Sequence, residues 1–192
     1  MHNLVFFASG SGTNFQSVIN AIQCGRLDAK ISGLIADRPG AGAIERAEEN
    51  NIPTYVLDLK RTDSDKTLLS LLSDLDPDLI VLAGFLKKIP DIVIDKYRGR
   101  IINIHPSLLP KYGGKGYFGL NVHRAVIENR EKVSGCTVHF VDEVYDNGSV
   151  IEQIEVPVSQ DDTPESLAKK ILQEEHNLLP KTIRKLLTQT SN

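Results

Sequence analysis

The sequence lacks most of what would tie it to a secreted or membrane-bound setting. Only two cysteines, Cys24 and Cys136, occur in 192 residues. That is too few for a disulfide scaffold and fits a reducing compartment. No Cys-x-x-Cys pair exists, and His123, His139 and His176 show no local ligand spacing, so no metal is expected. No apolar run approaches the roughly eighteen residues of a membrane span. The N-terminal run in "MHNLVFFASGSG" is too short for a signal peptide, so a cytoplasmic location is expected, with no membrane as partner. Charge of one sign is also lacking: 22 basic against 25 acidic residues leave a net charge of −3, which weighs against nucleic acid as a partner. There is no repeat, low-complexity tract or linker. With 41% hydrophobic and 24% charged residues, the chain reads as one globular domain over residues 1–192.

What is present is an alternation of short apolar runs with longer amphipathic segments. "NLVFFA" (3–8), "KISGLIA" (30–36), "TYVLDL" (54–59), "DLIVLAG" (78–84) and "RIINIH" (100–105) are predicted strands. Between them, "FQSVINAIQ", "AGAIERAEEN", "SDKTLLSLLSDLD" and "PDIVIDKY" carry helical spacing. In the third of these, Leu68, Leu69, Leu72 and Leu75 share a face, with Ser64 or Asp65 as N-cap. Strands alternating with crossover helices predict an α/β fold, a Rossmann-like, mostly parallel twisted sheet with helices on both faces. Past residue 133 the pattern changes. "GCTVHFV" and "GSVIEQIEVPV" alternate with period two around "DNGS", which predicts an antiparallel hairpin. A closing helix follows, capped by Thr163 with Pro164 at its first position, and with Glu165 and Glu175 on its polar side.

Ligands of such sheets bind at the carboxyl ends of the strands, where three unusual stretches fall. In "SGSGTN" (9–14), free amides before a helix start suit a phosphate, or else the glycines serve only a tight turn. A dinucleotide fingerprint needs a third glycine where this chain has Phe15, so a single phosphate monoester fits better. Asp37, after the second strand, is either a ribose-binding acid or part of a turn with Arg38 and Pro39. In "IINIH", alternation sends Asn103 and His105 out of the same strand face, the mark of a site rather than a core. Ser107 sits in a proline-bounded loop, not in a nucleophile elbow. The remaining chemistry is charge stabilisation and proton transfer, with Asn as donor to an oxyanion and His as acid or electrophile. An acid beside the histidine would raise its pKa and hold its ring. Asp142, Glu143 and Asp146 are equal candidates on pattern alone, and all three also fit a solvated turn. Lys87, Lys88, Lys111 and Lys115 either meet an anionic ligand or form a solvated rim.

"ASGSGTNFQ", "VLAGFLKKI", "NIHPSLLPKY" and "VHFVDEVYDNGSVI" together resemble the phosphoribosylglycinamide formyltransferases, folate-dependent members of the formyltransferase superfamily. The resemblance runs essentially from end to end. It implies transfer of a formyl group from 10-formyltetrahydrofolate, as cosubstrate, to the amine of 5-phosphoribosylglycinamide in purine synthesis. The transfer would be direct, through a tetrahedral intermediate, with no metal and no covalent enzyme intermediate. It also implies a phosphate-substrate half over about residues 1–100 and a folate and catalytic half over about 80–192. Asn103, His105 and Asp146 would be the catalytic groups, Asp146 raising the pKa of His105. Gly12, Thr13 and Asn14 would hold the substrate phosphate, and Glu175 the glycinamide. Arg61, Leu86, Lys87, Lys88, Ile89, Asn103, Asp142, Glu143 and Val144 would contact folate, and Thr137 would take a small-hydroxyl position near the catalytic group. Only small molecules are implied as partners, for a monomer or homodimer.

The sequence departs from that family where "PKYPGLHAH" is replaced by "PKYGGKGYFGLNVH". The insert is rich in glycine and follows His105 closely enough to border the folate or the substrate entrance. Three alternatives remain. A methionyl-tRNA formyltransferase would add a C-terminal domain, and a formyltetrahydrofolate hydrolase would have no use for the "GSGTN" loop. A non-catalytic nucleotide- or folate-binding module would have lost a catalytic group.

Overall fold

A computed structural model describes residues 1–59 and 62–189 of the chain. Seven strands form one sheet in the order β3-β2-β1-β4-β5-β6-β7. β1 (His2–Ala8), β2 (Ala29–Ala36), β3 (Thr54–Val56), β4 (Leu79–Ala83) and β5 (Ile101–His105) run parallel, whereas β6 (Val133–Phe140) and β7 (Val150–Pro157) are antiparallel. The mostly parallel sheet and the β6–β7 hairpin are as expected from the sequence. β3 is shorter than its apolar run, because Leu57 and Leu59 leave the strand to pack under the second core.

Alternate strand residues divide between two cores. Leu4, Phe6 and Ala8 of β1 face α1 (Thr13–Gln23), α2 (Gly42–Glu49), α5 (Leu120–Glu128) and α6 (Pro164–Gln189). Val5 and Phe7 face α3 (Ser64–Leu75) and α4 (Asp91–Lys96). Phe6, Phe7 and Phe15 are fully buried, each contributing about 1.5–3 kcal/mol relative to exposure. The order reverses between β1 and β4, so the loops after these strands part there and open a crevice at their carboxyl ends.

Three local readings are corrected. The N-cap of α3 is Asp63, one residue before Ser64 and two before Asp65, the expected caps; Ser64 is buried at the first helical position. α5 was not expected, since the glycine-rich stretch before it hides its start and only Val122, His123 and Val126 are buried along it. Glu175 does not lie on the polar side of α6. It is 6% exposed and faces inward, because α6 crosses α1 at that point. The cap of α6 is as expected: Ser166 N donates to Thr163 Oγ1 at 3.2 Å and Thr163 N donates to Ser166 Oγ at 3.0 Å, satisfying both free amides.

Candidate active site

The crevice is a cavity of about 840 Å³, bordered by the loops after β1, β4 and β5, the chain before α5, the β6–β7 loop and one face of α6. A smaller cleft of about 60 Å³ adjoins it under the β4 and β6–β7 loops. Phe85, Lys88, Asn103, Tyr145 and Asp146 border both.

At the wall between them stands the Asn103–His105 pair, presented on one face of β5 as its alternation predicts. His105 is 5% exposed. Its Nδ1 lies 3.0 Å from Ser107 Oγ, and its Nε2 lies 3.2 Å from the Tyr117 carbonyl and 3.4 Å from Asp146 Oδ2. If Ser107 gives its hydrogen to the Lys111 carbonyl, 2.7 Å away, the ring carries both protons; if it gives it to Nδ1, the ring is the neutral Nε2–H tautomer. In either state Nε2–H is a donor. Among the three candidate acids, Asp146 is therefore the partner of His105. Burial pushes the His105 pKa down; Asp146 raises it, as expected, and the Tyr117 carbonyl acts with it, but burial outweighs both.

Asn103 is oriented by a residue that sequence reasoning set aside. Its Nδ2 lies 3.1 Å from His139 Nε2, and His139 Nδ1 lies 2.7 Å from the Phe140 carbonyl. The carbonyl demands a proton on Nδ1, so Nε2 presents a lone pair and draws one N–H of the amide. The second amide N–H remains for the cavity. Burial lowers the pKa of His139, consistent with this neutral form. Nothing in the sequence around His139 announces this. The signal is the register, which sets Asn103 opposite His139 across β5 and β6.

Thr137 faces His105 in the same register but does not reach the cavity. It is fully buried, donates to the Ser107 carbonyl at 2.6 Å and accepts from Leu109 N at 3.1 Å, locking the loop after β5. The insert closes over this centre: Gly114 N donates to Asp146 Oδ2 at 2.8 Å, and Tyr117 supplies the carbonyl on His105.

Gly12, Thr13 and Asn14 line the other end of the cavity, where Gly12 takes a left-handed φ of 72° as N-cap of α1. Glu175 lines it too, and its Oε2 accepts from Asn14 Nδ2 at 2.7 Å. Burial pushes the Glu175 carboxyl up to about 7, against the lowering effect of that hydrogen bond. His123, 4% exposed, lines the same cavity with a buried Nδ1 that has no partner among the described residues. Burial, with a smaller contribution from His105, pushes its pKa down to about 4. Asp37 is not among the residues bordering the cavity.

Of the residues expected near folate, Lys87, Ile89, Asp142 and Val144 border only the small cleft, and Leu86 borders the main cavity. Lys88 borders both and is ion-paired to Asp91 at 2.7 Å. Glu143 borders neither. It is ion-paired to Arg98, which holds its carboxyl below the usual range and turns it to the surface. Arg61 lies outside the described residues. Lys115 borders the main cavity, while Lys111 is drawn to Glu131 at 3.0 Å.

The sequence profile of the formyl transferase family matches residues 2–183. A chloroplastic phosphoribosylglycinamide formyltransferase of Vigna unguiculata is 42% identical over 188 residues, covering 95% of this chain and 60% of the relative. The chain thus spans about three fifths of that plant protein. A phosphoribosylglycinamide formyltransferase of Escherichia coli (strain K12) is 35% identical over 185 residues, covering 94% of this chain and 85% of the relative. The crystal structure of phosphoribosylglycinamide formyltransferase from Bacillus halodurans superposes with a TM-score of 0.90 at 37% identity, covering 98% of this chain and 96% of that one.

Proposed function

Because the chain belongs to the formyl transferase family, we propose that it transfers a formyl group from 10-formyltetrahydrofolate to the amine of 5-phosphoribosylglycinamide. The products are 5-phosphoribosyl-N-formylglycinamide and tetrahydrofolate. The observation that carries this reading is the convergence of two N–H donors, Asn103 and His105, on a cavity whose far end is a glycine-loop helix start.

The phosphate sits on the amides of Gly12, Thr13 and Asn14, as anions do at helix N-termini. Glu175 accepts hydrogen bonds from the glycinamide end. The pterin enters the small cleft beside Lys87, Ile89, Asp142 and Val144, and Leu86 and Lys88 mark the passage between the two sites. The formyl carbon then lies at Asn103 and His105. The neutral amine attacks it, and the oxygen that gains negative charge accepts from Asn103 Nδ2–H and His105 Nε2–H. The amine nitrogen loses a proton and the leaving folate nitrogen gains one; His105 and Asp146, 3.4 Å apart, carry it between them. His139 fixes the Asn103 amide, and Ser107 and Asp146 fix the His105 ring, before substrate arrives; the Tyr117 carbonyl yields its place on Nε2–H to the substrate oxygen.

The test follows tetrahydrofolate formation from 10-formyltetrahydrofolate with and without phosphoribosylglycinamide. Turnover that depends on the phosphorylated amine supports the transferase. Equal turnover in its absence makes the chain a hydrolase and overturns the proposal.

A further inference from the structure

The loop after β1 is held from behind. Ser9 O accepts a hydrogen bond from Arg38 Nη2, Gly10 O accepts from Ala43 N at 3.1 Å, and Ser11 O accepts from Arg46 Nε at 2.8 Å. Three consecutive carbonyls are thus engaged on the side of the loop that carries α2 and the turn after β2. In a planar trans peptide the N–H points opposite to the carbonyl. The N–H groups of Gly10, Ser11 and Gly12 therefore point away from those donors, and all three residues line the main cavity. Two of the three outer donors are guanidinium groups, and neither Arg38 nor Arg46 lines the cavity itself. Arg46 also reaches Gln16 Oε1 at 3.4 Å, which ties the first turn of α1 to the same clamp. Neither arginine forms an ion pair with a carboxylate among the described residues, so their charges are not spent locally.

We propose that Arg38 and Arg46 are positioning residues of the anion site, holding the Ser9 and Ser11 carbonyls from outside so that the loop amides are aimed at the substrate phosphate. A cation on a carbonyl also polarises that peptide and strengthens its N–H as a donor. The two arginines thereby bring positive charge to a loop that itself contains none. The inference rests on the phosphate reading given above, which it shares at Gly12 and extends to the amides of Gly10 and Ser11.

A purely structural role, stapling α2 to the β1–α1 turn, would look the same in a static view, so the readout must depend on the phosphate. In Arg46→Met, KM for phosphoribosylglycinamide rises about tenfold, the effect of losing one charge-assisted hydrogen bond. The saturated kcat stays within about twofold, and KM for 10-formyltetrahydrofolate is unchanged. With the dephosphorylated amine, ribosylglycinamide, kcat/KM does not change. Arg46→Lys, which keeps the charge, recovers part of the loss and serves if the Met variant folds poorly. Arg38→Met, at a more exposed position, has a smaller effect of the same kind.

Equal losses with both amines would make the clamp structural and overturn the inference. Calorimetry with ribose 5-phosphate separates this from failure of the proposed reaction. If the wild-type chain binds it and Arg46→Met binds about tenfold more weakly, the inference stands even without turnover. Equal binding by the two proteins overturns the inference and leaves the transferase reading intact. No binding by the wild type overturns the anion site and the inference together.

Discussion

Two glycine-rich loops border the cavity, residues 9–14 and 113–119, and Gly12 in the first and Gly116 in the second are glycine for different reasons. Gly12 has a left-handed φ, and a Cβ there would lie 2.6 Å from the Ala43 backbone, so both conformation and space demand glycine. Gly116 has φ 96°, yet a Cβ there would meet nothing within 4 Å. The first loop is clamped by Arg38, Ala43 and Arg46. The second is joined to the proposed catalytic pair through Gly114 on Asp146 and Tyr117 on His105. Glycine content alone therefore does not tell a preformed binding loop from a covering one; what lies behind the backbone does.

The largest effect is expected where the second loop meets the chemistry. Asp146→Asn keeps the shape but removes the charge that faces His105 and accepts from Gly114, and lowers kcat by about 10²–10³ with little change in KM. Steady-state kinetics decide this, and a raised KM with preserved kcat would contradict the role. Next is Gly12→Ala, which meets both the steric and the conformational demand and costs about 3 kcal/mol in urea unfolding.

Glu175, the first loop's partner on α6, comes third. Its carboxyl is raised by burial from its ordinary value of 4.5 to about 7, so the folded chain holds that proton more tightly than the unfolded chain. The stability it contributes is full below about 4.5, falls as pH rises towards 7 and is level above it. Relative to Glu175→Gln, the wild type loses on the order of 3 kcal/mol across that window. Parallel stability curves from pH 4.5 to 8 would refute this. Smallest is Gly116→Ala, about 1 kcal/mol, from the unfavourable φ alone. If it costs as much as Gly12→Ala, the distinction between the two positions fails.

Much of this arrangement is legible in the sequence, and the rest for identifiable reasons is not. Period two in "IINIH" is enough to place Asn103 and His105 on one face, because strand geometry alone determines it. His139 escapes, because its role depends on which residue β5 sets opposite it. The polar face assigned to Glu175 fails because helical periodicity says where a side chain points, not what covers it, and here α1 covers it. The net direction at His105 escapes for a related reason: the raising charge of Asp146 is visible as a candidate in the sequence, but the burial that outweighs it is not. The family resemblance selects Asp146 from three acids, and the geometry agrees, through a loop whose residue 146 takes a left-handed φ of 54°.

The carbonyl of Tyr117 on His105 Nε2 has a consequence for inhibition. The chain carries its own competitor at the donor that the proposed reaction offers to a substrate oxygen. A ligand carbonyl gains that donor only by displacing Tyr117, and gives up the net value of one hydrogen bond, about 0.5–1.5 kcal/mol. That discounts its affinity by roughly twofold to tenfold. Compounds that leave the Tyr117 bond in place and fill the cavity beside Phe118 and Leu120 escape the discount.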